Sequence, residues 1–179
     1  EGATNPCVQA GPRVTVTTNA LGQQSTEVKN VLGETIESYD ADCGRVTFDY
    51  DSMGYLVRVT GEDGAVTSMS YDGAGRKIAL SDPDKGDWQY SYNALGELIR
   101  QLDGKKQAIE FVYDRLGRVT HRRELSAVDS LTDSVFDTIN HETTTYRTSS
   151  PGKSQVSSVT YREGESGAVL HRRAHNYDD

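Results

Sequence analysis

The sequence lacks several features that would assign it to a common class of protein. It has no apolar run near the roughly 20 residues that a membrane-spanning helix needs, and proline accounts for only 4 of its 179 residues. Its 19 basic residues are outnumbered by 27 acidic ones, which gives a net charge of −8. Because phosphate binding needs a positive field, nucleic acid is disfavoured as the main partner. We therefore expect neither a membrane span nor a nucleic-acid partner.

Cysteine is equally scarce. Cys7 and Cys43 are the only two, too few for a disulfide framework or a metal cluster. One bridge in an oxidising compartment and two unrelated thiols fit the sequence equally well. The first residues show no basic stretch followed by an apolar one, so any secretion signal would lie outside this chain.

The chain is instead rich in glycine and tyrosine, with 17 and 10 copies. Four tyrosines followed by Asp or Asn recur at a constant spacing, and a glycine stands four positions after each of them. The tyrosines are Tyr50, Tyr71, Tyr92 and Tyr113, and the glycines are Gly54, Gly75, Gly96 and Gly117. The same period of about 21 residues leads back to Gly33, and regularity of this kind indicates a repeat protein.

Each repeat is predicted to hold two strands and two turns. In the unit that begins at Tyr50, residues 51–54 read Asp-Ser-Met-Gly, where Asp accepts hydrogen bonds from the turn and Gly takes a positive φ. A strand over 55–60 follows, and the Asp-Gly pair at 63–64 is a strong hairpin signal. The fold class predicted is all-β, an antiparallel meander of hairpins in a curved or spiral sheet.

The predicted sheet has two different faces. Counting back from each key tyrosine in steps of two gives apolar or aromatic residues, as in Val46, Phe48 and Tyr50, with Thr67 as the exception. The residues between them are mostly polar. An apolar column three positions after the glycines is formed by Ile36, Val57, Ile78 and Ile99 and ends at Thr120. An apolar face and a wet face are therefore expected, and the apolar face must be covered.

Four segments are predicted along the chain. Residues 1–18 form a lead-in strand, 19–125 the repeats, 126–142 an irregular insertion and 143–179 longer hairpins that lead into a further repeat at Tyr177-Asp178. Within the insertion we expect a helical turn over 131–136. In the last segment we expect strands at 143–148, 155–162 and 168–175, joined by turns at 149–153 and 163–167. We interpret the chain as a fragment of a longer repeat protein.

The units resemble the YD repeats of the Rhs family, whose pattern is roughly Tyr-Asp-x-x-Gly-Arg-Leu/Val. The unit Tyr113-Asp114-Arg115-Leu116-Gly117-Arg118-Val119 fits best, while Asn93, Glu97 and Tyr55 depart from the pattern. The resemblance covers residues 19 to about 123 well and the tail loosely. It implies a β-sheet spiral of the kind found in Rhs proteins, toxin-complex cocoons and teneurins, which forms a hollow shell.

The resemblance also implies partners. The bacterial shells enclose a C-terminal toxin, teneurins serve as adhesion scaffolds, and the repeats have been described as carbohydrate-binding. Asp82-Pro83 resembles the family's self-cleavage dipeptide but lacks the following glycine and lies inside a regular repeat. No cleavage residue is therefore carried over.

Few residues indicate chemistry of their own. The carboxylates Asp82 and Asp84, like Asp49 and Asp51, stand two apart as calcium ligands do, but turn formation explains them better. His171 and His175 have arginines between them, which disfavours a dication. We expect no metal, no cofactor and no catalytic residue.

Two functions remain open. The first is a non-catalytic structural segment of a secreted or surface protein, in contact with neighbouring repeats and an enclosed toxin polypeptide. The second is a carbohydrate-binding or adhesion module, in which Trp88 and Tyr90 would stack on a surface glycan.

Overall fold

The computed structural model describes residues 7–8, 13–126, 131, 137–146, 156–163 and 169–174. All regular secondary structure within these ranges is β-strand. The strands are β1 (Val14–Thr18), β2 (Gln24–Lys29), β3 (Thr35–Tyr39), β4 (Arg45–Tyr50), β5 (Leu56–Thr60), β6 (Val66–Tyr71), β7 (Lys77–Asp82), β8 (Gly86–Tyr92), β9 (Leu98–Leu102), β10 (Ala108–Tyr113), β11 (Val119–Ser126), β12 (Asp137–Tyr146), β13 (Val156–Glu163) and β14 (Val169–Ala174).

The chain forms two compact units, residues 1–84 and 85–179. The first contains β1 to β7 and the second β8 to β14. Within each unit, consecutive strands pair antiparallel and the strand order follows the sequence. The predicted all-β antiparallel meander is confirmed, since short turns leave each strand next to the one before it.

A β-bulge accompanies each key tyrosine. Tyr50 pairs with Leu56 whereas Asp49 pairs with Arg58, so Val57 is the extra residue. The same shift occurs between Ser70 and Tyr71, between Ser91 and Tyr92 and between Val112 and Tyr113. The extra residues at these and the preceding repeat are Ile36, Val57, Ile78, Ile99 and Thr120. The apolar column of the sequence is thus the column of bulged residues.

The apolar residues buried in the described part of the chain lie on the face expected to be wet. Ala108 pairs with both Leu102 and Leu125, and the three are 1%, 2% and 0% exposed. Cross-strand partners share a face, and this face is opposite to that of Tyr113. The expectation was wrong for these strands because Leu131, in the connection between β11 and β12, packs on this cluster and covers it.

The C-terminal strands begin and end differently from their predicted bounds. β12 begins at Asp137, inside the segment expected to be irregular, because residues 137–143 pair with β11. β13 and β14 lie within one residue of the predicted strands. Leu131 is in a turn, and the remainder of the helical turn expected over 131–136 lies outside the described residues. So do the turn at 149–153, the turn at 163–167 beyond Glu163, and Tyr177-Asp178.

The two cysteines form a disulfide. Cys7 and Cys43 are bonded across 36 residues with their Cα atoms 5.4 Å apart, which decides between the two alternatives that the sequence left open. Cys43 has a φ of 68° in the turn between β3 and β4, and Lys106 has a φ of 64° at the same position of another turn, where most of the described turns carry glycine. No helix in the part of the chain that the structure describes could cross a bilayer.

Candidate functional site

The key tyrosines end their strands with their hydroxyl groups bonded to the preceding hairpin. Tyr50 donates to the carbonyl oxygen of Thr35 at 2.9 Å, Tyr71 to that of Leu56 at 2.9 Å, and Tyr113 to that of Leu98 at 2.7 Å. In each case the acceptor lies 15 residues earlier. Each hydroxyl therefore ties the end of one hairpin to the start of the strand that follows the previous glycine.

The residue after each tyrosine organises the turn. Asp51 Oδ1 accepts hydrogen bonds from the backbone N–H groups of Met53 and Tyr55, at 2.8 and 2.9 Å. The backbone closes the same turn, since Gly54 N–H donates to Asp51 O at 3.1 Å. Equivalent pairs of bonds are accepted by Asn19, Asn30, Asp40, Asp72, Asn93, Asp103 and Asp114. This is the local reason for Asp or Asn at the position.

At Tyr71, Tyr92 and Tyr113, the side chain of the fifth residue after the tyrosine pairs with that of the first. Arg76 Nε donates to Asp72 Oδ2 at 2.7 Å, and Arg118 bonds Asp114 in the same way. Where the turn begins with Asn93, the partner is a glutamate, and Asn93 Nδ2 donates to Glu97 Oε2 at 2.6 Å. The departures Asn93 and Glu97 therefore compensate each other by exchanging donor and acceptor.

The repeat glycines have a left-handed backbone, and at Gly54, Gly75 and Gly117 a side chain of the previous unit also lies close. Gly54, Gly75, Gly96 and Gly117 have φ values of 84°, 78°, 86° and 74°, where residues with a Cβ are strained. A Cβ on Gly75 would also clash with the hydroxyl oxygen of Tyr55. The fifth-position side chain of one unit thus occupies the space that the glycine of the next unit leaves open.

The same fifth-position residues contact the next tyrosine. The rings of Tyr55 and Tyr71 are stacked with their centroids 5.1 Å apart. Arg118 holds Asp114 and also lies over the ring of Tyr146, 4.3 Å from its centroid. A guanidinium in this position makes a cation–π contact as well as an ion pair.

Tyr146 is a repeat tyrosine that the regular spacing does not find. Its hydroxyl donates to the carbonyl oxygen of Val119 at 2.8 Å across 27 residues, and a bulge precedes it between Thr145 and Tyr146. Val119 stands two residues after Gly117, as Leu56 does after Gly54. The sequence feature that could have revealed Tyr146 is a strand that ends in tyrosine after the insertion. The residue that follows is Arg147, however, where the repeat pattern has Asp or Asn.

Burial and neighbouring charges shift the pKa values of two key tyrosines and of a turn aspartate. Burial raises the pKa of Tyr50 and Tyr113, with smaller contributions from the carboxylates of Glu34 and Glu97. The hydrogen bond from Arg76 lowers the pKa of Asp72. These tyrosines stay protonated and the aspartate ionised, which are the states that their hydrogen bonds require.

Trp88 and Tyr90 lie side by side on β8. Their rings are stacked with centroids 6.4 Å apart, and Trp88 Nε1 donates to Lys85 O at 3.2 Å. Trp88 borders a cavity of about 200 Å³. The other lining residues are Gln101, Asp103, Gln107, Ala108, Ile109, Glu124 and Leu125.

The candidate calcium ligands serve the local structure. Asp82 Oδ1 accepts from Asp84 N at 3.0 Å, and its Oδ2 accepts from the Thr67 hydroxyl at 3.1 Å. Asp51 is used in its turn, while Asp49 is exposed on β4. Among the described residues, no three His, Cys, Asp or Glu side chains are grouped to hold a metal ion.

Comparison with known proteins agrees with this geometry. Residues 50–87 match the family model described as RHS Repeat, and no curated protein sequence matches the chain. The crystal structures of TcdB2-TccC3 and of TcdB2-TccC3-TEV both align with a TM-score of 0.53 at 12% identity. Each alignment covers 85% of this chain and 10% of the other, so the chain spans about a tenth of their length. At this identity the likeness concerns the fold.

The matched segment begins at a key tyrosine and contains the turns at 51–54 and 72–75. It includes Tyr50, Gly54, Tyr71 and Gly75, whose contacts are described above. Residues 50–87 therefore match an RHS repeat.

Proposed function

We propose that the chain is a non-catalytic structural segment of an Rhs-type protein and forms part of the wall of a β-sheet shell. The observation that carries the proposal is the series of tyrosine hydroxyls, each bonded to a backbone carbonyl of the previous hairpin. Tyr50, Tyr71, Tyr92 and Tyr113, with Gly54, Gly75, Gly96 and Gly117, are its structural residues. The hydroxyl groups of Tyr50, Tyr71 and Tyr113 form hydrogen bonds with backbone carbonyl groups of the sheet itself.

The shell would enclose a toxin polypeptide, as the resemblance to the Rhs family suggests, and would be secreted or exposed at the cell surface. The Cys7–Cys43 disulfide supports an oxidising location, since such bonds persist mainly outside the cytosol. Its partners would be neighbouring repeats of the same protein and the enclosed polypeptide.

Protease digestion of the natural protein that contains this chain tests enclosure. We expect the polypeptide that the repeats surround to resist cleavage until the wall is loosened by Tyr71→Phe combined with Tyr113→Phe. Tyr55→Phe is the matched control, because the hydroxyl of Tyr55 makes no hydrogen bond within the described residues. Equal cleavage of that polypeptide in the wild type and in both variants would contradict enclosure.

The second candidate function is carbohydrate binding. The observation in its favour is the cavity beside Trp88, which combines an aromatic surface with the polar side chains of Gln101, Gln107 and Glu124. Sugars bind to such sites by stacking on the ring and bonding to the polar groups.

A glycan array with the wild type and Trp88→Ala separates the two functions. Binding that disappears in Trp88→Ala but survives in Leu95→Ala, a change at a side chain that is 84% exposed, would favour the binding module. No binding by the wild type favours the scaffold.

A further inference from the structure

Two histidines on neighbouring strands form a contact that the repeat pattern does not explain. His121 on β11 and His141 on β12 have their rings stacked, with centroids 5.3 Å apart and planes inclined by 25°. His121 pairs with Thr143, and His141 pairs with Arg123, so the two rings are diagonal neighbours on one face. The pair lies across the strands that flank the insertion.

The charged groups around the pair are mostly cationic. A cross-strand row runs through Arg100, Glu110, Arg123, His141 and Arg162, from β9 to β13. Glu110 is the one carboxylate in that row, and it is shared by Arg100 at 3.3 Å and Arg123 at 3.1 Å.

The neighbouring row adds no carboxylate. It contains Val112, His121, Thr143, Thr160 and Arg172, from β10 to β14. Leu131 packs nearby with its carbonyl oxygen bonded by Arg100, while Asp129 and Asp133 lie outside the described residues.

The hydrogen-bond partners of the two rings are hydroxyl groups and include no carboxylate among the described residues. His121 Nδ1 lies 3.0 Å from the hydroxyl oxygen of Thr120, and His141 Nε2 lies 3.5 Å from that of Thr143. Nδ1 of His141 is buried and has no hydrogen-bond partner among the described residues. A proton added there would find no acceptor, and burial, His141 and Arg123 together hold the pKa of His121 below its usual value.

We propose that the His121–His141 stack is an acid-sensitive lock between β11 and β12, closed while His121 is neutral and opened by its protonation. An imidazolium at position 121 would be stacked on His141, beside Arg123 and with Glu110 already shared, so its charge is disfavoured there. A histidine that stays neutral in the folded state stabilises it above the unfolded pKa, and this contribution is lost as the pH falls through the folded pKa. The pairing of these strands should therefore weaken below about pH 6.

Hydrogen exchange of the whole chain, read by mass spectrometry at pH 7.5 and pH 5.0, tests the lock. After correction for the intrinsic pH dependence of exchange, we expect amides of β11 and β12 to lose about tenfold protection for each unit of pKa depression. Amides of β5 and β6 are the internal reference, since all four histidines lie after residue 120.

Variants separate the pair from other acid effects. His121→Phe combined with His141→Phe keeps two stacked rings that cannot titrate and should abolish the loss of protection, whereas His171→Gln should retain it. Thr143→Glu offers the pair a carboxylate and should also abolish the loss, which provides a second test if the phenylalanine variant does not fold. A wild type with no selective loss at β11 and β12, or a loss that persists in Thr143→Glu, overturns the proposal.

Discussion

The hydroxyl of Tyr71 donates a hydrogen bond of 2.9 Å to the carbonyl oxygen of Leu56, the residue two positions after the glycine of the previous repeat. The same relationship joins Tyr50 to Thr35, Tyr113 to Leu98 and, across an insertion, Tyr146 to Val119. The bulge beside Tyr71 leaves Ile78 of the following strand unpaired, whereas the hydroxyl of Tyr71 bonds the preceding strand. Its acceptor Leu56 stands next to Val57, the residue left unpaired by the previous bulge. The recurrence of tyrosine and glycine is thus explained by contacts between consecutive hairpins.

Substitution of Gly75 should cost more than substitution of Gly22. Both have φ near +80°, so alanine at either position pays roughly 1–2 kcal/mol of backbone strain. Only at Gly75 does the new Cβ also meet the ring of Tyr55, because nothing lies within 4 Å of Gly22. Urea unfolding should show the larger loss for Gly75→Ala and a loss above about 1 kcal/mol for Gly75→Val. Equal losses at the two glycines would argue against the packing contact.

The Asn93–Glu97 pair should be exchangeable for the Asp–Arg pair of the other turns. Asn93→Asp alone brings a second carboxylate to Glu97, and Glu97→Arg alone sets a guanidinium against the amide. The double variant recreates the arrangement of Asp72 and Arg76. A double-mutant cycle should give a favourable coupling of about 0.3–1 kcal/mol, as for partly exposed pairs. Additive effects would show that the two positions are independent.

Acid should destabilise the chain partly through Asp72 and Asp114. Hydrogen bonds from Arg76 and Arg118 lower the pKa of these carboxyls. Their contribution is therefore present above the unfolded pKa and is lost as the pH falls through the lower folded pKa. Arg76→Gln combined with Arg118→Gln should flatten the decline of the unfolding free energy between about pH 4.5 and pH 2. A decline as steep as that of the wild type would contradict this origin.

Leu131 should stabilise the second unit. It covers Leu102, Ala108 and Leu125 on the face opposite the tyrosines, so Leu131→Ala should cost about 1–3 kcal/mol in thermal unfolding, somewhat below the range for fully buried leucine. Leu116→Ala is the matched control because that side chain is 63% exposed. A Leu131→Ala variant as stable as the control would show that the cover contributes nothing.

Most of the local structure could be predicted from the sequence, because it depends on neighbours in the chain. The Asp-x-x-Gly turn at 51–54 needs a side-chain acceptor and a positive φ within four residues, and both are visible in residue types. The compensation between Asn93 and Glu97 is equally local, although reading them as separate departures from a pattern concealed it.

The features that were missed depend on contacts distant in sequence. The buried face at Leu102, Ala108 and Leu125 arises because Leu131 returns to cover it, which alternation along a single strand cannot reveal. The regular spacing does not reveal Tyr146, because its acceptor lies 27 residues earlier in the chain, whereas the acceptor of Tyr71 lies 15 residues earlier. The insertion over 126–142, with four acidic residues, interrupts the regular spacing, and no Asp or Asn follows Tyr146 to mark the repeat.

The free energy of unfolding of a series of single tyrosine-to-phenylalanine variants tests the central claim most directly. Tyr50→Phe, Tyr71→Phe, Tyr113→Phe and Tyr146→Phe should each lose about 0.5–1.5 kcal/mol, since each leaves a carbonyl without its donor. Tyr55→Phe keeps the stacked ring and removes no hydrogen bond within the described residues, so it should be close to the wild type. Losses at the four positions no greater than that of Tyr55→Phe would contradict the account.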